Sequence, residues 1–132
     1  MFGDESVDSA LERIEQWQQS MAQRAEQAQT LAQRTSALTA TARSRDDLVT
    51  VTVGPEGQLT QLHLDERTRR QSAAATARAI MEALQAAKDA LVMKFEAATA
   101  ETVGADSETG RMLNESLRRR LGMPLESSDE AR

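Results

Sequence analysis

The stretch Leu48-Val49-Thr50-Val51-Thr52-Val53-Gly54-Pro55-Glu56-Gly57-Gln58-Leu59-Thr60-Gln61-Leu62-His63-Leu64 decides the fold. Valine at 49, 51 and 53 alternates with Leu48, Thr50 and Thr52, the two-residue period of a strand with one buried face. Gly54-Pro55-Glu56-Gly57 supplies a reversal, because Pro55 presets φ and Gly57 tolerates a positive one. Gln58 to Leu64 is then the returning strand. His63 runs out of phase with Leu62 and Leu64, which turns it to solvent or to a neighbouring subunit. Upstream, Leu38-Thr39-Ala40-Thr41-Ala42-Arg43 fits either a third short strand or a fraying helix end. Ser44-Arg45-Asp46-Asp47 between them is a turn, since Ser and Asp side chains satisfy local backbone groups.

Helical periods flank this meander. From Ser6 to about Ser36, Val7, Leu11, Ile14, Met21, Ala25, Ala28 and Ala32 recur in steps of four and three, skipping only Gln18. A second stripe passes through Trp17, Met21, Ala28, Leu31 and Leu38. Such a narrow seam on a rod of roughly 45 Å cannot bury itself and calls for a partner helix. After a polar, arginine-rich link from Asp65 to Gln71, Ser72 is a fitting N-cap for a second long helix. Ala73, Ala77, Ile80, Leu84, Ala87, Leu91, Phe95 and Ala98 form its expected apolar face, and Gly104 its stop. Ser107 then caps a short third helix carrying Met112, Leu113, Leu117 and Leu121. Gly122 and Pro124 close it, and the acidic stretch from Glu126 to Arg132 reads as a disordered tail.

The expected architecture is α+β: a long helix, a three-stranded antiparallel meander, a second long helix and a short C-terminal helix. It divides into a main domain over 1–104 and an extension over 105–132. With 132 residues, 39% of them hydrophobic and only 2% aromatic, the core must come from aliphatic residues and many alanines. Alanine covers little area, so a homodimer is expected, with Leu11, Ile14, Trp17, Met21 and Leu31 at its interface. Trp17 on a long helix suits a packing anchor better than a base-stacking platform.

Composition excludes several kinds of chemistry. Without cysteine there is no disulfide framework, thiolate metal site or cysteine nucleophile. The single histidine, His63, cannot alone build a multi-histidine metal site. Phosphate-cradling glycine motifs, the nucleophile elbow and the metalloprotease helix signature are all absent. No catalytic residue, metal site or cofactor is therefore expected. No apolar run approaches the roughly 18 residues of a membrane span. The opening Met1-Phe2-Gly3-Asp4-Glu5 is acidic, unlike a secretory leader, so a cytoplasmic protein without membrane contact is expected.

Order and texture together resemble the YbaB/EbfC nucleoid-associated proteins. The likeness runs over about residues 8 to 102. It rests on Thr41 to Gly57, on Leu59-Thr60-Gln61-Leu62-His63-Leu64-Asp65, and on the alanine-rich helix with Ala86-Ala87-Lys88. The resemblance implies a tweezers-shaped homodimer in the nucleoid, binding duplex DNA weakly and with little sequence preference. Two features depart from the pattern: 16 basic residues face 21 acidic ones, for a net charge of −5, and a segment follows Gly104. Actinobacterial relatives are sometimes associated with type VII secretion, so a protein-binding adaptor without DNA affinity is the competing expectation.

Arginine carries the candidate contacts, because its planar fork donates two hydrogen bonds to one phosphate. Arg67, Arg69 and Arg70 sit where strand hands over to helix and, with Arg78, form one candidate patch, opposed by Asp65 and Glu66. The alternative is a solvated link with local ion pairs. Arg118-Arg119-Arg120 is the densest cationic run, fit either for phosphate contact or for stabilising the negative end of its own helix. Arg43 and Arg45 are opposed by Asp46 and Asp47. Arg13, Arg24 and Arg34, spread among Glu12, Glu15 and Glu26, suit a solvated helix face.

Overall fold

The computed structural model describes residues 2–104 and 107–123. Pro124 and the stretch expected to be a disordered tail lie outside the described residues. The elements are α1 (Phe2–Ser36), β1 (Ala40–Arg43), β2 (Val49–Val53), β3 (Leu59–Leu64), a 3-10 turn (Glu66–Arg70), α2 (Ala73–Thr102) and α3 (Glu108–Arg120). Of the ambiguous Leu38–Arg43 stretch, Ala40–Arg43 is a strand, and Leu38 and Thr39 link it to α1. β1, β2 and β3 form an antiparallel meander in that order.

The turns close as their residues dictate. Between β1 and β2, the buried Ser44 hydroxyl donates to Asp46 Oδ1 at 2.5 Å and accepts from the Val49 N–H at 3.1 Å. Between β2 and β3, the Gly57 N–H donates to Gly54 O at 2.9 Å, and Gly57 sits at φ +80°. Ser72 and Ser107 both cap as expected, accepting from the Ala75 N–H at 3.1 Å and the Gly110 N–H at 2.9 Å.

α2 packs across β1 and β2. Val49, Val51 and Val53 are fully enclosed beneath it, facing Ala83, Ala87 and Leu91. The N-terminal half of the helix is rotated from the expected face. Ala79 and Ala83 are buried, Ile80 and Leu84 are only partly covered, and Ala73 and Ala77 are exposed. Small side chains let the helix axis approach the valine-rich sheet closely, and the larger Ile80 and Leu84 are displaced to its flank.

α3 packs back on α2, and Leu117 and Leu121 join the same core, whereas Met112 stays 63% exposed. The close approach depends on Gly110, where a Cβ would stand 2.5 Å from Gly104 O. Among the described residues α1 touches the body only towards its C-terminus, where Ala32, Thr35 and Ser36 share a cleft with Arg120. Leu31 is buried there, and Arg34 donates to Thr102 Oγ1 at 3.1 Å and pairs with Glu101.

β3 is exposed at every residue. Its register pairs Val49 with Leu64, Val51 with Leu62 and, across a bulge, Val53 with Leu59. Directly paired residues share a face, so these leucines lie on the core face of the sheet, beyond the edge of α2. They are 41–48% exposed.

Candidate nucleic-acid interface

The seven arginines singled out above divide between the two ends of the sheet. Arg67, Arg69 and Arg70 occupy the 3-10 turn that follows β3, and Arg78 follows on the early turns of α2. Asp65 fixes this turn: its carboxylate accepts from the Arg67 N–H at 2.9 Å, and its backbone carbonyl accepts from the Thr68 hydroxyl at 2.8 Å. The Asp65 N–H in turn donates to Leu48 O at 2.8 Å, which ties the turn to the β1–β2 end of the sheet. Arg118, Arg119 and Arg120 end α3 at the opposite, hairpin end. Arg120 there lines a cleft with Pro55, Glu56 and Gln58.

Four of the seven have carboxylate partners. Arg67 Nε stands 3.1 Å from Asp65 Oδ1, and Arg69 Nε 3.1 Å from Glu66 Oε2. Arg119 Nη2 is 3.8 Å from Glu115 Oε2, one turn back on the same helix. Arg118 is turned inward: its Nη2 lies 2.8 Å from Glu96 Oε1 on α2. The Arg67 side chain, then its backbone N–H, holds the Asp65 carboxyl below the ordinary carboxylate value. Reciprocally, Asp65 raises the Arg67 guanidinium, with Asp47 and Asp46 adding to the field. The cationic patch expected from Arg67 is therefore largely neutralised at its source.

Arg70, Arg78 and Arg120 are exposed, and among the described residues none has a carboxylate within ion-pairing distance. Arg45 is not available in the same way, since its backbone N–H donates to Glu82 Oε1 at 2.6 Å and its Nε lies 3.8 Å from Glu82 Oε2. His63 is exposed on β3, opposite Thr50. Among the described residues no group of three His, Cys, Asp or Glu converges to hold a metal ion. No helix among them is long and apolar enough to cross a membrane.

Among the described residues two apolar surfaces remain bare. One is the α1 seam, where Leu11, Ile14, Trp17 and Met21 are exposed as expected, while Leu31 is already buried within its own chain. The other is formed by Leu59, Leu62 and Leu64 of β3. The signal for it was present, because three strands and one covering helix leave part of a sheet face without a lid.

A meander half-covered by one helix, with a long arm outside the body, defines an α-β-β-β-α binding protein whose apolar surfaces one copy does not close. The sequence profile of the YbaB/EbfC DNA-binding family matches residues 6–106, from α1 through α2, and the chain belongs to that family. Membership places it among nucleoid-associated, DNA-binding proteins. A search of curated proteins finds no match.

Proposed function

We propose that the protein works in the nucleoid as a homodimer that holds duplex DNA weakly and with little sequence preference, through arginine–phosphate contacts. The observation that carries this reading is the family match combined with three exposed arginines, Arg70, Arg78 and Arg120, that have no carboxylate within ion-pairing distance among the described residues. They stand on three different elements, an arrangement that suits separated phosphates and not successive base edges along one helix. Doubling in a dimer gives six such groups. The homodimer closes over Leu59, Leu62 and Leu64, whose burial a second subunit supplies.

Overall charge opposes DNA at long range, so attraction is local and sensitive to salt. Fluorescence anisotropy on an arbitrary duplex at two salt concentrations tests the reading. Affinity should fall steeply as salt rises, and combined replacement of Arg70, Arg78 and Arg120 by alanine should abolish it. A second reading, a protein-interaction adaptor without DNA affinity, draws on the four carboxylate-paired arginines and the net charge of −5. Absence of binding even at low salt would select it.

A further inference from the structure

Among the described residues, α1 has no packing partner from Val7 to Ala22, and nearer Leu31 only its Gln23, Glu26, Gln27 and Thr30 side lines a cleft with Glu101 and Thr102. All ten residues from 21 to 30 are exposed, and Val7, Leu11, Ile14 and Met21 along one stripe, with Trp17 at its flank, are 43–64% exposed. Isolated apolar residues on a surface need no explanation, but four in a helical line with a tryptophan beside them do. We propose that this stripe is a second self-interface, in which α1 of one homodimer packs antiparallel against α1 of another. The inference rests on the homodimer proposed above and adds the contact that joins one dimer to the next.

The orientation follows from the sizes along the seam. Its N-terminal half carries Val7, Leu11, Ile14 and Met21, and its C-terminal half carries Ala25, Ala28 and Ala32. Parallel pairing would set large against large at one end and alanine against alanine at the other. One pair of axes cannot satisfy both, since the spacing of packed helices follows the side chains between them. Antiparallel pairing sets Leu11 opposite Ala28, Ile14 opposite Ala25, Val7 opposite Ala32 and Gln18 opposite Met21. Every layer then holds one large and one smaller residue, or a flexible pair, at nearly constant spacing.

The flanks agree with this register. Trp17 falls beside Arg24 of the opposite helix, twice by symmetry, a geometry that allows a guanidinium to lie on an indole face. Asp8 falls beside Gln29 and Glu15 beside Ala22, so no like charges meet across the seam. Ala25, Ala28 and Ala32 are all exposed, which leaves the receiving half of the seam open to the incoming arm. Joined in this way, two dimers would hold two duplexes at a set separation.

The chain has no native cysteine, so orientation can be read by disulfide trapping with single-cysteine variants of the full-length protein. Leu11→Cys mixed with Ala28→Cys should cross-link at least about tenfold faster than either variant alone. Faster self-linking of Leu11→Cys would mean parallel arms and would overturn the proposal. Sedimentation should show assemblies larger than a dimer at micromolar concentration, and Ile14→Glu should weaken them at least 30-fold or so, back to dimers. If the unmodified protein stops at dimers and no cross-link forms, the stripe serves a helix of some other protein and the proposal fails. Leu62→Asp, which breaks the contact over β3, should leave the mixed cross-link intact. Loss of that cross-link would show that the arms have no interface of their own, while the homodimer reading stood.

Discussion

Arg118 reaches from the last turn of α3 to Glu96 on α2, Nη2 to Oε1 at 2.8 Å, with only 19% of the arginine side chain exposed. The first residue of the molecule's densest cationic run thus forms part of the joint between two helices. Its neighbours along the run have other surroundings: Arg119 leans on Glu115, and Arg120 faces the cleft beside the hairpin. Three adjacent arginines therefore have three different settings, and substitutions should separate them.

Arg118→Ala should lower the unfolding free energy by about 1 kcal/mol, the worth of a charge-assisted hydrogen bond discounted for its half-exposed acceptor. Arg120→Ala should leave stability within about 0.5 kcal/mol of the parent while weakening duplex binding. Urea denaturation beside an anisotropy titration checks both. Equal drops in affinity from the two substitutions would show that the inward-facing arginine also meets DNA.

Salt dependence measures how many phosphates the protein neutralises. Each of Arg70→Ala, Arg78→Ala and Arg120→Ala should reduce the slope of log affinity against log salt by about one, the share of a single arginine–phosphate pair. Arg69→Ala, whose guanidinium already faces Glu66 at 3.1 Å, should change it less. A uniform effect of all four substitutions would contradict the division into paired and unpaired groups.

Gly57 has two reasons to be glycine. Its φ of +80° is strained for any residue with a Cβ, and that Cβ would stand 1.9 Å from Leu121 Cδ2. Gly57→Ala should therefore cost about 3 kcal/mol. In a Leu121→Ala background only the backbone strain remains, and the same change should cost about 1 kcal/mol. Denaturation of the four proteins in the cycle measures the difference, and strict additivity would mean that α3 does not rest on the hairpin.

The acid limb of stability should depend on two carboxylates. Asp46 is held below its ordinary value, first by the Ser44 hydroxyl and then by the Leu48 N–H. Asp65 is held down by Arg67. Because the folded-state value is depressed, the stabilisation is fully present above the unfolded value near 3.8 and is lost as pH falls through the lowered folded value. Asp46→Asn should lower stability at pH 7 and flatten its decline below about pH 4, as read by chemical denaturation across that range.

Local patterns were legible in the sequence wherever neighbouring residues decide them. Val49, Val51 and Val53 showed their buried face by alternation alone, Ser72 and Ser107 marked helix starts, and Gly57 marked the hairpin. The face of α2 was harder to read. Alanine and larger aliphatics occur on several of its sides, and only the valine-rich sheet selects Ala79 and Ala83 over Ile80 and Leu84. The site had the same character. The Arg69–Glu66 pair, three residues apart, can be read from spacing, but Arg118–Glu96 and Arg34–Glu101 depend on helices meeting in space. The exposure of β3 follows from the count of elements and not from its own residues: its hydrophobic pattern is that of a covered strand, and none of the described elements of the same chain supplies the cover.

The attachment of α1 near Leu31 and Arg34 makes the helix a lever as well as a rod. The 29 residues from Phe2 to Thr30 stand beyond that pivot, so a tilt of about 10° there sweeps the far tip through roughly 8 Å. Small adjustments at the fulcrum would thus become large changes of reach. Whatever the tips grasp could vary in position by the width of a side chain while the sheet and its covering helix stay still.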